Sequence, residues 1–261
     1  MSIFDLHAGD SPLLLSVPHA GTDMPSDLAE RLTPVGRTLL DTDWEVDRLY
    51  PFARELGMTV LRANVSRYVV DLNRDPADAP LYPGARTTTV CPTESFEGDP
   101  LYERGENPAR GEIALRVFTY WQPYHDALAA EIARIRERHG YAIVIDGHSI
   151  WGRLPLLFEG ELPDVNIGTN RGASCAPWVT ETVSAPLAER YPGLALDGRF
   201  TGGYITRHYG KPDENVHAIQ IELNQRTYIM DGTRTSVDLL KAATLSAGLR
   251  AACAGLIARV T

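Results

Sequence analysis

The sequence predicts one three-layer α/β/α domain built on a mixed, mostly parallel sheet, a phosphorylase/hydrolase-like architecture. Short apolar runs alternate with helical periodicities along the whole chain, and no Pro- or Gly-rich linker separates two halves. The runs Pro12–Val17 and Tyr141–Ile145 carry no charge, as expected of strands that are covered on both faces. Each run leads directly into polar residues that include a histidine near a glycine. We therefore expect a single domain over residues 1–261.

The first third of the chain predicts short elements. Residues 26–33 have the pattern of a short helix, and residues 46–56 that of a second helix, which Gly57 would end. Strands are expected over residues 58–63 and 65–72.

The middle of the chain predicts a loop and then a long helix. From Pro76 to Pro108 prolines, glycines and threonines dominate and no periodicity is sustained, which predicts a long loop excursion. Loops of that length are often lids or binding loops. Residues 110–139 then show helical spacing, with a kink or a division into two helices expected at Pro123.

The last third returns to alternating elements. We expect, in order, a strand over 164–169, a helix over 177–190 that Pro186 interrupts, a short extended segment over 205–209, a strand over 216–223 and a final helix in the last 25 or so residues.

Composition excludes several classes of protein. The chain has 261 residues, is 44% hydrophobic and carries a formal net charge of −9, which argues against a nucleic-acid-binding surface. Its three cysteines are far apart and form no Cys-x-x-Cys pair, as expected of free thiols in a reducing compartment. Neither a signal peptide nor a stretch of about 18 apolar residues is evident. We expect a cytoplasmic protein without a membrane or nucleic-acid partner; the oligomeric state stays open.

Ionisable side chains recur where predicted strands end. They are His19, Asp146 with His148, and Glu222. Ligands bind outside the carboxyl ends of strands in open α/β sheets, so these side chains are candidates for one site. Two histidines and a carboxylate would complete a catalytic zinc site with an open position for water, whose pKa zinc lowers toward 7.

Each of these residues also has a simpler interpretation. His19 could be a turn residue, His148 a satisfied buried histidine after a capping Asp146, and Glu222 a strand residue paired with an arginine. In the acidic stretch 41–47, Asp43 could be a helix N-cap. Spacing alone leaves these alternatives open.

Three arginines near the predicted strand ends point to an anionic substrate. Arg67, Arg74 and Arg207 all have polar neighbours in sequence. Arginine binds carboxylates bidentately, which suits recognition of an acidic small molecule. Singly, each could equally form a surface ion pair.

Longer motifs resemble the N-formylglutamate amidohydrolase (N-formylglutamate deformylase) family. The matching segments span most of the chain in order and are Ser16–Gly21, Asp41–Trp44, Arg48–Tyr50, Ser66–Arg74, Pro80–Tyr82, Trp121–His125, Asp146–Ser149, Gly198–Gly210, His217–Leu223 and Thr227–Tyr228. That family is similar in fold to zinc carboxypeptidases and aspartoacylase. The resemblance implies hydrolysis of N-formyl-L-glutamate to formate and glutamate, in histidine degradation, with one divalent metal ion, most simply Zn²⁺.

The resemblance also implies roles for individual residues. His19 and His148 would be metal ligands, and Glu222 the base that activates water at the metal and then protonates the leaving nitrogen. Asn73 and Arg74 would bind one substrate carboxylate.

Two further arginines receive roles in the same way. Arg207 would bind the second carboxylate of glutamate, and Arg67 would contact the oxyanion or a carboxylate.

Asp146 lies two residues before His148, and we expect its carboxylate to orient a ligating imidazole.

The chain departs from the carboxypeptidase pattern at one ligand. No His-x-x-Glu is present, because Thr22 stands where the glutamate would be. We expect Asp43 as the third ligand, with Asp23, Asp41 and Glu45 as alternatives.

Other functions remain in view. A related zinc deacylase or carboxypeptidase-like enzyme would act on another N-acyl amino acid, and an amino-acid-binding module would need no metal. A cysteine amidase would use Cys91 or Cys175, although neither lies in a recognisable nucleophile motif.

Overall fold

A computed structural model describes residues 2–81 and 87–260 of the chain. Strands in these ranges are β1 (Phe4–His7), β2 (Leu13–Val17), β3 (Thr59–Ala63), β4 (Ala142–Ile150), β5 (Val165–Gly168), β6 (Ala195–Leu196) and β7 (Val216–Asn224). Helices are α1 (Ser26–Glu30), α2 (Arg110–Arg116), α3 (Gln122–His139), α4 (Pro177–Ala188), α5 (Tyr204–Tyr209) and α6 (Leu239–Val260).

Within the described residues the strands form one seven-stranded sheet, in the order β1-β3-β2-β4-β7-β5-β6. The central strands β3, β2, β4 and β7 run parallel, β6 runs parallel to β5, and β1 and β5 pair antiparallel with β3 and β7. The predicted mixed, mostly parallel sheet is confirmed.

Helices cover both faces of the sheet, which confirms the three layers. Side chains alternate across a strand, so Leu13 and Leu15 face one layer and Leu14 the other. The first layer contains α4 and α6, and the second contains α3 and α5. Because both faces are covered, β2, β4 and β7 are buried along their whole length.

The long helical segment has an irregular turn close to the predicted break. A π-helical turn over Val117–Trp121 joins α2 to α3, and Pro123, which cannot donate a backbone hydrogen bond to the preceding turn, lies directly after this irregular turn. Pro186, in contrast, lies inside α4 without ending it.

Several local predictions are wrong. Residues 65–72 form turns and no strand, because Ser66 bonds its own neighbours: its Oγ accepts from the Tyr68 N–H at 3.2 Å and its carbonyl from the Val69 N–H at 2.9 Å. Residues 204–209 form α5 and are not extended. The helix predicted over residues 46–56 is absent, and residues 46–49 form only a 3₁₀ turn.

The excursion over residues 76–108 is irregular in its described part. Its described residues form turns and isolated bridges, such as that between Glu94 and Pro100, and no helix or strand. Tyr82 and the rest of 82–86 lie outside the described residues.

The helix α6 is long and apolar enough, by length and composition, to cross a membrane, which the sequence argument did not recognise. In the structure Leu245, Leu249 and Leu256 on one of its faces are fully buried in the core beside α4.

Candidate metal and substrate site

Three neighbouring parallel strands bring the predicted residues to one edge of the sheet. His19 lies two residues beyond β2, and His148 in β4 is paired in register with Glu222 in β7. The sequence predicted that the strand ends at Ile145, where the polar stretch begins. In the structure β4 continues through this stretch, because its pairing with β7 extends to Ile150. Parallel neighbours end at the same edge, so side chains distant in sequence converge there.

His19, Asp43 and His148 form a buried group of three potential metal donors, which we call the donor triangle. One ligand atom from each lies within 4.8 Å of the others. Asp43 Oδ2 is 3.0 Å from His148 Nδ1 and 3.8 Å from His19 Nδ1. The Asp43 backbone N–H donates to the His19 carbonyl at 3.0 Å, which fixes this carboxylate beside the first histidine.

A buried carboxylate supports each histidine of the donor triangle from behind. His19 Nε2 lies 2.7 Å from Asp71 Oδ1, and His148 Nε2 lies 3.1 Å from Asp146 Oδ1. Such partners orient a ligating imidazole, and here both Nδ1 atoms face Asp43 Oδ2. Sequence reasoning proposed Asp146 for this role but missed Asp71, although Asp71 lies in the matching segment Ser66–Arg74.

Asn73 contacts both of the supporting carboxylates, Asp71 and Asp146. Its Nδ2 donates to Asp146 Oδ2 at 3.0 Å and lies 2.8 Å from His148 Nε2. Its backbone N–H donates to Asp71 Oδ1 at 2.9 Å. Asn73 thus connects the carboxylates that stand behind the two histidines.

Burial and neighbouring charges set the protonation of the donor triangle. Burial, followed by the charge of Arg67, lowers the pKa of His19. Burial also acts to lower the pKa of His148, but Asp146 and Asp43 outweigh it and raise that pKa well above its usual value. For Asp43, burial is outweighed by the hydrogen bond from His148 and by nearby positive charges, which lower its pKa.

Glu222 lies in the same cavity outside the donor triangle. Burial raises the pKa of its carboxyl to about 8. The Gln220 side chain donates to Glu222 Oε2 at 2.8 Å, which holds the carboxylate in place. A buried carboxyl that titrates near neutral pH is suited to accept and return a proton.

The cavity beside the donor triangle is lined by cationic and apolar side chains. Arg67, Arg74 and Arg199 line it, together with apolar residues that include Phe96 and Phe200. Arg67 is buried and lies 2.6 Å from Asp71 Oδ2 and 3.6 Å from Asp43 Oδ1. Arg199 was not singled out from the sequence, because an arginine in a turn-rich segment carries no local signal.

Arg207, which we expected to bind the second carboxylate of the substrate, lies elsewhere. It is not among the described residues that line the cavity. Its Nε donates to the Gly202 carbonyl at 2.8 Å and one terminal nitrogen to Thr201 Oγ1 at 2.8 Å. These bonds join it to the loop that precedes α5.

The alternative carboxylates have other contacts. Asp41 Oδ2 accepts from the Phe96 N–H at 2.9 Å, and burial raises the pKa of Asp41 to about 6. Glu45 pairs with Arg48 at 2.6 Å, and the Asp23 backbone bridges to Val65. Among the described residues, Asp43 is the carboxylate that joins the two histidines.

The cysteines lack the surroundings of a nucleophile. Cys91 and Cys175 are buried, and neither is among the described residues that line the cavity. Burial raises the pKa of the Cys91 thiol to about 11 and also raises that of Cys175, so both stay protonated at neutral pH.

The donor triangle has the ligand chemistry of a divalent metal site such as one for zinc. Ligands held tetrahedrally about 2.0–2.1 Å from one ion lie roughly 3.3 Å apart. Two sides of the triangle, 3.0 and 3.8 Å, bracket that spacing, and all three donor atoms lie within 4.8 Å of one another. Three protein ligands of nitrogen and oxygen beside a cavity leave a fourth position accessible, as in catalytic zinc sites.

Comparisons with known proteins identify relatives of similar sequence. An N-formylglutamate deformylase of Pseudomonas putida is 46% identical over 228 residues, which cover 87% of this chain and 85% of that protein. One of Pseudomonas aeruginosa is 47% identical over 229 residues, with the same coverage of 87% and 85%.

Solved structures show the same fold. The crystal structure of an N-formylglutamate amidohydrolase from Ralstonia eutropha JMP134 superposes with a TM-score of 0.83 at 27% identity, covering 100% of this chain and 98% of that one. A gene product of Agrobacterium tumefaciens, at 18% identity and a TM-score of 0.71 over 98% of this chain and 96% of its own, shares the fold. The family model described as N-formylglutamate amidohydrolase matches residues 11–229, and the chain belongs to that family.

Proposed function

We propose that the protein hydrolyses N-formyl-L-glutamate to formate and L-glutamate and that it does so with one divalent metal ion, most simply Zn²⁺. The observation that carries this proposal is the buried donor triangle beside Glu222, in a cavity lined by three arginines. The names of the two Pseudomonas relatives support the substrate.

His19, Asp43 and His148 would hold the ion, with Asp71 and Asp146 behind the imidazoles. An ion bound there supplies Lewis-acid chemistry: it makes water more acidic and polarises a carbonyl oxygen. The chain's own contribution is to hold the donors in a fixed geometry and to keep the surroundings largely free of water.

Glu222 moves the protons of the reaction. Its carboxylate takes a proton from the attacking water as the new C–O bond forms at the formyl carbon. When the C–N bond breaks, the same carboxyl gives a proton to the departing glutamate nitrogen. A pKa of about 8 keeps both protonation states accessible near neutral pH.

The arginines recognise the charged groups of the substrate. Arg74 and Arg199 line the cavity, and we propose that they bind the two carboxylates of glutamate, with Arg199 in the role first expected of Arg207. Arg67, held between Asp71 and Asp43, is oriented to stabilise negative charge on the carbonyl oxygen during attack.

We further propose that the reaction belongs to histidine degradation and occurs in the cytoplasm. The sequence resemblance supports the pathway, and free, buried cysteines are consistent with a reducing compartment.

A substrate series tests the proposal. Formate release should be fast with N-formylglutamate, and N-acetylglutamate should be hydrolysed far more slowly if the cavity is shaped for a formyl group. Equal or faster hydrolysis of the acetyl compound would instead favour a deacylase acting on another N-acyl amino acid.

A further inference from the structure

Trp121 and His125 are buried aromatic residues of a matching motif that the proposed mechanism leaves without a role. Neither is among the described residues that line the cavity. Their rings stack with centroids 3.7 Å apart. Four residues apart along the helical segment, they lie on the same face.

Both side chains reach backbone carbonyls of one turn. Trp121 Nε1–H donates to the Arg74 carbonyl at 3.0 Å. His125 Nε2 lies 2.8 Å from the Leu72 carbonyl, which can only accept, so Nε2 carries the proton. Residues 72–74 form turns outside any helix or strand, and the two side chains supply a donor to each of these carbonyls.

A third element contacts His125. Its Nδ1 lies 3.0 Å from the Tyr209 hydroxyl, whose one proton can go to this nitrogen or to the His125 carbonyl 3.2 Å away. Tyr209 belongs to α5, and the first turn of α5 is bonded to the same region, since the Ile205 N–H donates to Asn73 Oδ1 at 2.8 Å. His125 therefore connects α3, the 71–74 turn and α5.

The 71–74 turn contains Asp71 and Asn73, the two residues that contact the proposed metal-ligating histidines or their supporting carboxylate. Asp71 lies behind His19, and Asn73 is bonded to Asp146 and lies beside His148. Leu72 and Arg74, whose carbonyls are held, alternate with these two residues in sequence.

We propose that Trp121 and His125 are positioning residues of the metal site, acting through the carbonyls of Leu72 and Arg74. Their two N–H groups fix the 71–74 turn so that Asp71 and Asn73 keep the histidine Nδ1 atoms directed at one point. This inference rests on the metal site of the proposed function, but it does not depend on the identity of the substrate.

The test measures Zn²⁺ affinity by competition with a chromophoric chelator. Trp121→Phe keeps an aromatic ring but removes the N–H donor, and His125→Leu removes both the donor and the polarity of the side chain. Both should weaken Zn²⁺ binding about tenfold to a hundredfold, the range typical of lost support behind a ligand. His125→Gln, whose amide can reach the Leu72 carbonyl, should restore affinity to within a few-fold of the wild type.

Tyr124→Phe is the matched control. Tyr124 is a buried neighbour in the same helix, and its hydroxyl bonds Ser16 Oγ at 2.9 Å, away from the 71–74 turn. It should lose stability while keeping Zn²⁺ affinity. Unchanged affinity in Trp121→Phe and His125→Leu, or an equal loss in Tyr124→Phe, would overturn the inference.

Failure of the proposed reaction gives a different pattern. A wild-type chain that binds Zn²⁺ tightly but releases no formate contradicts the substrate, while the affinity differences among the variants still decide the positioning role. A wild type that binds no divalent ion overturns the positioning role as well, because no site exists to be positioned.

Discussion

A buried carboxyl that titrates near neutral pH distinguishes Glu222 from Asp43 and Asp71. Asp43 and Asp71 are just as buried, but neighbouring positive charges lower their pKa values and keep them ionised. Burial dominates at Glu222 and raises its pKa to about 8. The surroundings of the three carboxyls thus leave Glu222 able to transfer a proton near neutral pH, while Asp43 and Asp71 stay ionised.

Replacing Glu222 with glutamine should remove the base and leave the metal in place. We expect Glu222→Gln to lower turnover by about 10²–10⁴-fold, because a positioned general base contributes about that much. Metal content, measured by elemental analysis, should not change, since Glu222 lies outside the donor triangle. Glu214→Gln, at an exposed turn before β7, is the control. Near-normal turnover in Glu222→Gln would refute the role.

Arg199 should contribute to substrate binding through one carboxylate of N-formylglutamate. Arg199→Gln should raise KM for N-formylglutamate by about 10- to 100-fold, as expected for the loss of a charged hydrogen bond. The discrimination between N-formylglutamate and N-formylglutamine should shrink in this variant if the side-chain carboxylate is the partner. Arg207→Gln is the comparison, and a larger KM effect there would return the role to Arg207.

At the scale of elements, the central strands could be predicted and the short connecting segments could not. The charge-free runs Pro12–Val17 and Tyr141–Ile145, which contain β2 and the first half of β4, identify buried parallel strands directly. The helix α5 depends on Asn73, whose Oδ1 accepts from the Ile205 N–H across 132 positions of sequence. No local pattern contains that contact, so residues 205–209 looked extended.

The loop before α5 approaches the site so closely that it requires glycine. A Cβ on Gly203 would lie 2.4 Å from Asn73 Nδ2, whereas a Cβ on Gly147 would lie 3.3 Å from the flexible end of Leu15. Gly203→Ala should therefore displace Asn73 and weaken Zn²⁺ binding and turnover together. Gly147→Ala should change both much less. Similar effects of the two substitutions, measured by chelator competition and formate release, would contradict this placement of α5.

The helix α3 should confer a pH dependence on stability through His125. Burial, reinforced by the charge of His208, lowers the pKa of His125 to about 4 from an ordinary 6.5, although the bond to the Leu72 carbonyl and the charges of Asp146 and Asp126 act to raise it. Unfolding therefore takes up a proton below about pH 6.5, and the folded chain loses roughly 2 kcal/mol from this residue by pH 5.

Equilibrium unfolding with chelator present can isolate that contribution. His125→Gln cannot titrate, so its free energy of unfolding should fall less between pH 7 and pH 5 than that of the wild type. Parallel pH profiles of the two proteins would show that His125 is not held neutral.

At the scale of the whole molecule, the sequence predicted the layers and several of the residues that meet in the cavity, but not the contacts that connect them. His19, Asp43, His148 and Glu222 could be identified from segments that resemble the family. Asp71 and Arg199 lie in such segments too, but the sequence does not single them out, because their contacts arise only when the 71–74 turn and the loop before α5 meet the strand ends. That one domain extends over all of residues 1–261 stays a prediction, since the family model matches 11–229.

Metal binding should stabilise the whole fold by mass action. Zn²⁺ at 100 times its Kd should add about 2.7 kcal/mol to the free energy of unfolding, seen as a higher Tm. His148→Ala should lose both the bound metal and this increment, while His7→Ala, at an exposed position of β1, should keep them. An unchanged Zn²⁺ stoichiometry in His148→Ala would show that His148 is a satisfied buried histidine and not a ligand.

The most direct test measures formate release from N-formylglutamate while the metal content of the chain is titrated. The purified protein is stripped with a chelator and reloaded with Zn²⁺ in steps. We predict that activity disappears on stripping and returns in proportion to bound metal, reaching its maximum at one ion per chain. Full formate release by the stripped chain would contradict the metal-dependent mechanism.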